Sequence, residues 1–180
     1  MRKLSVTELG RMDVRQFRNS KKLPLTLILD DVRSLYNVGS VFRTSDAFRI
    51  ERIILCGITA TPDNSLVEIH KTALGAEESV EWCYSRDCVS VVKELNENGY
   101  TTVAVEQVED SIKLDELKID LSKRYALVLG NEVKGVNQDV VDQCKISLEI
   151  PQYGTKHSLN VSVTAGLVIW EFYKQLKGLL

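Results

Sequence analysis

Short apolar runs rich in leucine, isoleucine and valine alternate along this chain with segments whose apolar residues recur at helical spacing. That alternation restricts the fold more than any other feature. Residues 25–29, 52–56, 80–84, 101–105, 125–129 and 146–150 read as six strands,. Between them, residues 38–48, 68–74, 87–98 and 137–144 read as helices, with Asn37 capping the first and Gly75 and Gly99 closing the second and third,. Residues 162–177 form the longest helix. Strands that alternate with helices pair in parallel, so an α/β domain with a mainly parallel sheet flanked by helices is expected. The last helix is apolar on two sides. Val161, Ala165, Val168, Phe172 and Leu176 make one face, and Val163, Leu167 and Trp170 another. Such a helix is sandwiched or meets another subunit.

Composition narrows the class. No apolar run approaches the roughly 20 residues that span a bilayer, and the start lacks a secretory leader, so a cytoplasmic protein is expected,. The four cysteines are scattered, with Cys56 and Cys83 in apolar strand-like segments where a thiol behaves as a small hydrophobe,. With only His70 and His157 as histidines, no metal site is expected,. The formal net charge is −2, yet the chain through Lys22 carries seven basic residues against Glu8 and Asp13. We therefore divide it into a basic arm, residues 1–24, and a domain, residues 25–180. Arg11, Arg15, Arg18, Lys21 and Lys22 suit phosphate contacts, or simply a solvated helix face.

The usual nucleotide fingerprints are missing: no GxGxxG follows the first strand and no GxxxxGK[ST] occurs,. Polar residues instead crowd three strand ends, where α/β proteins bind ligands. These are residues 30–44, 127–136 and 150–162. Individually, Asn37 caps a helix, Gly130 and Gly135 make tight turns, and Ser158 and Asn160 satisfy a loop.

Together and in this order, the three stretches resemble the motifs of the SpoU/TrmH family within the SPOUT superfamily. Asn37, Gly39 and Arg43 match the first. Leu129-Gly130-Asn131-Glu132 with Gly135 match the second, and Ile150-Pro151, Gly154 and Ser158-Leu159-Asn160-Val161-Ser162 the third. Residues 71–76 resemble the family's short connecting segment. Val133 and Gln152 depart from the usual Gly and Met beside these motifs.

The resemblance implies a deep C-terminal trefoil knot, a homodimer with each active site at the subunit contact, and S-adenosylmethionine as cofactor. The implied reaction is methyl transfer to a ribose 2′-hydroxyl of tRNA or rRNA. It implies cofactor contacts from Val105, Gly130, Ile150, Ser158 and Leu159, and a catalytic set of Arg43, Asn37, Glu132, Ser158 and Asn160. A guanidinium stays protonated, so Arg43 suits a phosphate clamp and charge stabiliser better than a base. Glu132 is expected to orient Arg43 or Asn37, and Gly130 to admit the ligand by lacking a side chain. The alternatives are a SPOUT base methyltransferase, which Ser158 and Asn160 disfavour, and a non-catalytic knotted RNA-binding protein.

Overall fold

The computed structural model describes residues 1–180, apart from the side chain of Val6. Seven strands form one wholly parallel sheet: β1 (Leu23–Asp30), β2 (Ile50–Cys56), β3 (Trp82–Ser85), β4 (Tyr100–Val105), β5 (Ile112–Lys113), β6 (Arg124–Leu129) and β7 (Ile146–Glu149). Their spatial order is β3-β2-β1-β6-β4-β7-β5. β1 pairs Leu27 with Ile53 of β2 on one side and with Leu127 of β6 on the other. The helices are α1 (Val14–Asn19), α2 (Leu35–Ala47), α3 (Pro62–Ala73), α4 (Ala76–Ser79), α5 (Cys88–Glu97), α6 (Gln138–Val141) and α7 (Val161–Leu176).

Both faces of the sheet are covered, and the pleat sorts the strand residues between two cores. Leu25, Leu27, Leu29, Leu127 and Leu129 join Phe17, Val38, Phe42, Ile69, Val168 and Phe172 in the larger core, under α1, α2, α3 and α7. Ile28, Ala126 and Val128 point the other way, onto Val92, Leu95 and Val140 of α5 and α6. Phe17 is buried in the larger core, so the basic arm is docked on the domain through α1.

Local expectations fail at four places, each for a physical reason. Ser34, not Asn37, caps α2, its hydroxyl accepting from the Asn37 amide; Asn37 lies inside the helix and is buried. The short helix expected at residues 68–74 begins at Pro62, whose fixed φ suits a first turn, and breaks once at Ser65,. Leu74, with φ 53°, ends it before Gly75 is reached. Cys83 is exposed, because β3 lies at the edge of the sheet. The two-residue β5 escaped the sequence because it lies within a polar stretch.

On α7 the two apolar faces separate as drawn. Ala165, Val168, Phe172 and Leu176 are fully buried, while Val163, Leu167 and Trp170 remain 51%, 42% and 49% exposed. Trp170 meets the Phe48 ring edge-on and stacks with Tyr173. No helix among the described residues is long and apolar enough to cross a membrane.

Candidate active site

The carboxyl ends of β1, β6, β4 and β7 converge where the strand order reverses, and the loops leaving them build the site,. The first loop turns at Asp31, which takes a left-handed φ of 55°. Three contacts hold that strained residue: its amide reaches the Cys56 carbonyl, its Oδ1 accepts from the Ile58 amide, and its carbonyl accepts from Asn131 Nδ2,.

Asn131 also organises the second loop. Its Oδ1 accepts from the amides of Val133 and Lys134 at 2.9 and 3.1 Å, and its backbone pairs with Gly135 in both directions. The chain therefore folds back tightly on Gly130. A Cβ there would lie 2.2 Å from the Val136 nitrogen and 2.3 Å from the Gly135 carbonyl carbon. Glycine at 130 is thus required by the loop's own backbone rather than by close approach of a ligand. Val133, in place of the usual glycine, is exposed and leaves this turn closed.

Glu132 ties the three motifs together. Its Oε1 accepts from the Ser34 amide at 2.9 Å and from Asn37 Nδ2 at 3.0 Å, while Oε2 accepts from the Arg33 amide at 3.0 Å. Burial pushes its carboxyl up, but these donors outweigh burial and leave it below the ordinary glutamate range,. Asn37 passes the link on: its Oδ1 accepts from Asn160 Nδ2 at 3.1 Å. Asn160 in turn caps α7, accepting from the amides of Ser162 and Val163,. Glu132, Asn37 and Asn160, distant in sequence, form one network. Glu132 orients Asn37 and, among the described residues, makes no hydrogen bond or ion pair with Arg43.

Beside the network lies a cleft of about 420 Å³, within the range of small-molecule sites. Every expected cofactor residue lines it: Val105, Gly130, Ile150, Ser158 and Leu159. Glu132 lines it as well, whereas Asn37 and Asn160 do not. Sequence reading missed Glu106 and Gln107, although polar residues at the end of β4 were the available signal. Glu106 Oε2 accepts from the Val136 amide at 3.0 Å, and a Cβ on Gly135 would lie 2.1 Å from that oxygen. Gln107 donates to the His157 carbonyl, linking β4 to the third motif's loop.

Arg43 is not brought to this cleft. It lies six residues beyond Asn37, roughly 120° further round α2, exposed and without a side-chain partner among the described residues. The arm is also remote. Arg18 donates to the Glu78 carbonyl at 3.0 Å, and Lys22 lies over the Phe17 ring while donating to the Phe17 and Ser20 carbonyls. Both line a second cavity, about 840 Å³, at the amino-terminal edge of the sheet with Glu51, Glu77, Glu81 and Arg124. Its three cations and three carboxylates balance, and it gathers no motif residue beyond that arm. We take the smaller cleft as the site. Arg11, Arg15 and Lys21 are exposed, with no side-chain partner among the described residues.

The SpoU rRNA Methylase family model matches residues 24–170. The chain belongs to that family. The 23S rRNA (guanosine-2′-O-)-methyltransferase RlmB of Neisseria meningitidis is 32% identical over 162 residues, which are 87% of this chain and 61% of that protein. A putative TrmH family tRNA/rRNA methyltransferase of Staphylococcus aureus is 30% identical, over 90% of this chain and 63% of its own. The chain thus spans about three fifths of the length of the curated relatives it matches. Among solved structures, a TrmH/SpoU tRNA modifying enzyme of A. aeolicus superposes with a TM-score of 0.79 at 26% identity, covering 92% of this chain and 81% of that one. An AdoMet-bound rRNA methyltransferase from Sinorhizobium meliloti gives 0.77 at 27%, covering 89% and 60%. The family's fold and this chain's fold are the same parallel-sheet α/β architecture.

Proposed function

We propose that this SpoU family protein transfers a methyl group from S-adenosylmethionine to a ribose 2′-hydroxyl of tRNA or rRNA. The observation that carries the proposal is the hydrogen-bonded union of Asn37, Glu132 and Asn160 beside a cleft lined by Val105, Gly130, Ile150, Ser158 and Leu159. The cleft suits the cofactor chemically: Leu129, Ile150 and Leu159 offer apolar walls for an adenine, and Glu106 and Gln107 offer polar atoms for its hydroxyls and amine. When bound, the cofactor supplies an activated methyl group on a sulfonium.

The protein's part is positioning and charge. Glu132 cannot serve as a free base, since both its oxygens are engaged by the start of α2. It fixes the β1–α2 loop instead, and Asn160 sets the third motif's loop against it. Ser158 lines the cleft with no side-chain partner among the described residues, and its hydroxyl is suited to orient an acceptor. Arg43 clamps the phosphate on the 3′ side bidentately and stabilises negative charge developing on the 2′-oxygen.

Arg43 lies away from the cleft of its own chain, so a second copy supplies it. We infer a homodimer in which the exposed Val163, Leu167 and Trp170 face of α7 is buried and each cleft is completed by the partner copy. The chain further threads a trefoil knot, a reading supported by β7 lying between β4 and β5 and by the third motif running from that strand to α7. The test is nucleoside mass spectrometry on unmodified tRNA and rRNA incubated with the protein and S-adenosylmethionine. A 2′-O-methylnucleoside should appear with the intact chain. Arg43→Lys should lose most turnover yet bind cofactor normally, and near-normal turnover by that variant would refute the bidentate role. Base methylation, or no cofactor binding, would favour the two alternative readings in turn.

A further inference from the structure

We propose that Tyr36 is a stacking platform for an unpaired nucleobase adjoining the methylated ribose, with Arg33, Arg43 and Lys71 taking the flanking phosphates. The inference rests on the RNA-modifying reading above and assigns that site's grip on its substrate. Tyr36 is 53% exposed in the first turn of α2, and its hydroxyl makes no hydrogen bond among the described residues. It lies on the α2 face that carries Arg43, which the proposed dimer turns toward the partner copy's cleft, so the ring adjoins the ribose methylated there. Ser40 and Arg43 follow at i+4 and i+7, so all three share one helix face,.

The backbone beneath the ring is unusually well fixed. The Tyr36 carbonyl accepts from Ser40 Oγ at 2.8 Å and from Thr72 Oγ1 of α3 at 3.0 Å. Gly39 permits that second contact, since a Cβ there would lie 2.1 Å from Thr72 Oγ1. Lys71, next to Thr72, is exposed at the same junction, and Arg33 is exposed at the head of α2. None of the three cations has an ion-pair partner among the described residues. An aromatic face bordered by such cations matches single-stranded RNA, whose bases stack and whose phosphates need neutralising.

Other exposed aromatics lack this combination. The Tyr84 hydroxyl is committed to the Gly57 carbonyl, and Trp170 lies in an apolar aromatic group suited to protein. Tyr153 is on a loop without comparable anchoring, and a platform set on a helix holds its ring more accurately,.

The test compares wild type, Tyr36→Phe and Tyr36→Ala by fluorescence anisotropy. The probes are a labelled single-stranded RNA 12-mer, the same ribose-phosphate chain made abasic, and unmodified tRNA transcript. Stacking predicts that Tyr36→Ala weakens 12-mer binding about 5- to 100-fold, and that Phe stays within about twofold of wild type. Abasic-chain binding, S-adenosylmethionine affinity and melting temperature should be unchanged. Equal RNA affinity of Ala and wild type would overturn the assignment, as would an equal loss on the abasic chain. A shift from dimer to monomer in sedimentation on Tyr36→Ala would reassign the ring to a protein contact and overturn it too. If the wild type transfers no methyl group but shows the base-dependent effect, the platform stands and only the methyltransferase reading falls.

Discussion

Three donors hold Glu132 ionised against the cost of its partial burial, and the balance has a pH signature. Its folded pKa lies below the unfolded value of about 4.3. The stabilisation it contributes is therefore complete above that unfolded value and is lost as pH falls through the folded one. Glu132→Gln should flatten the acid limb of a stability–pH profile below about pH 4, measured by urea melts. It should also loosen the β1–α2 loop at neutral pH, since an amide cannot accept from all three donors with both its atoms. An unchanged acid limb would show that the network does not hold the charge. The glycines of the second motif make a parallel case. Gly130→Ala drives a Cβ into backbone that cannot yield, and Gly135→Ala drives one into the Glu106 carboxylate at an already left-handed φ. Each should cost about 1–3 kcal/mol. For Gly135 alone, Glu106→Ala should return part of the loss, because a side chain can be removed where backbone cannot. Denaturant titration of the two single variants and the Glu106/Gly135 double variant checks this.

At the scale of elements, α2 is held from three directions: α3 through Gly39, α7 through the larger core, and the loops through Asn37. Gly39→Ala should separate α2 from α3, because the added carbon would meet Thr72 Oγ1 at 2.1 Å and the Ile69 carbonyl at 2.3 Å. A loss of about 1–3 kcal/mol is expected, together with weaker RNA binding through the displaced Tyr36 turn. Helix α7 should answer differently on its two faces. Phe172→Ala, fully buried against Tyr125, should cost about 3–5 kcal/mol,. Leu167→Glu should leave the folded chain intact and convert the proposed dimer to monomer in sedimentation, with loss of the proposed methyl transfer. A dimer that persisted at micromolar concentration would move the interface elsewhere.

Across the whole molecule, cations divide by distance from the site. The arm is anchored at the amino-terminal edge of the sheet and the cleft opens at the carboxyl edge, so under the proposed function any phosphate contact by the arm falls at some remove from the target ribose. Substituting Arg11, Arg15 and Lys21 together by alanine should lower the slope of log affinity against log salt by about two to three units. Cofactor affinity should be unaffected, and an unaltered slope would mean that the arm touches no phosphate. Removing the arm outright is the poorer test, since Phe17 belongs to the larger core.

Much of this was legible in the chain. Short apolar runs such as residues 25–29 point to a strand, and the alternation of strands with helices points to a parallel sheet, because both depend on neighbours in sequence. The three motif stretches likewise announce a family and its cleft, and Val105, Gly130, Ile150, Ser158 and Leu159 do line one. What local pattern could not decide was which motif residue meets which. Asn37 looked like a cap and is a buried link; Gly130 looked like room for a ligand and is room for its own loop; Arg43 looked like a neighbour of Glu132 and faces elsewhere. Hydrogen bonds between residues about a hundred positions apart are fixed only when the sheet sets its strands in order. The sequence determined the elements and the chemistry of their ends, and the tertiary structure alone decided their partners, because a directional bond needs both ends held in place.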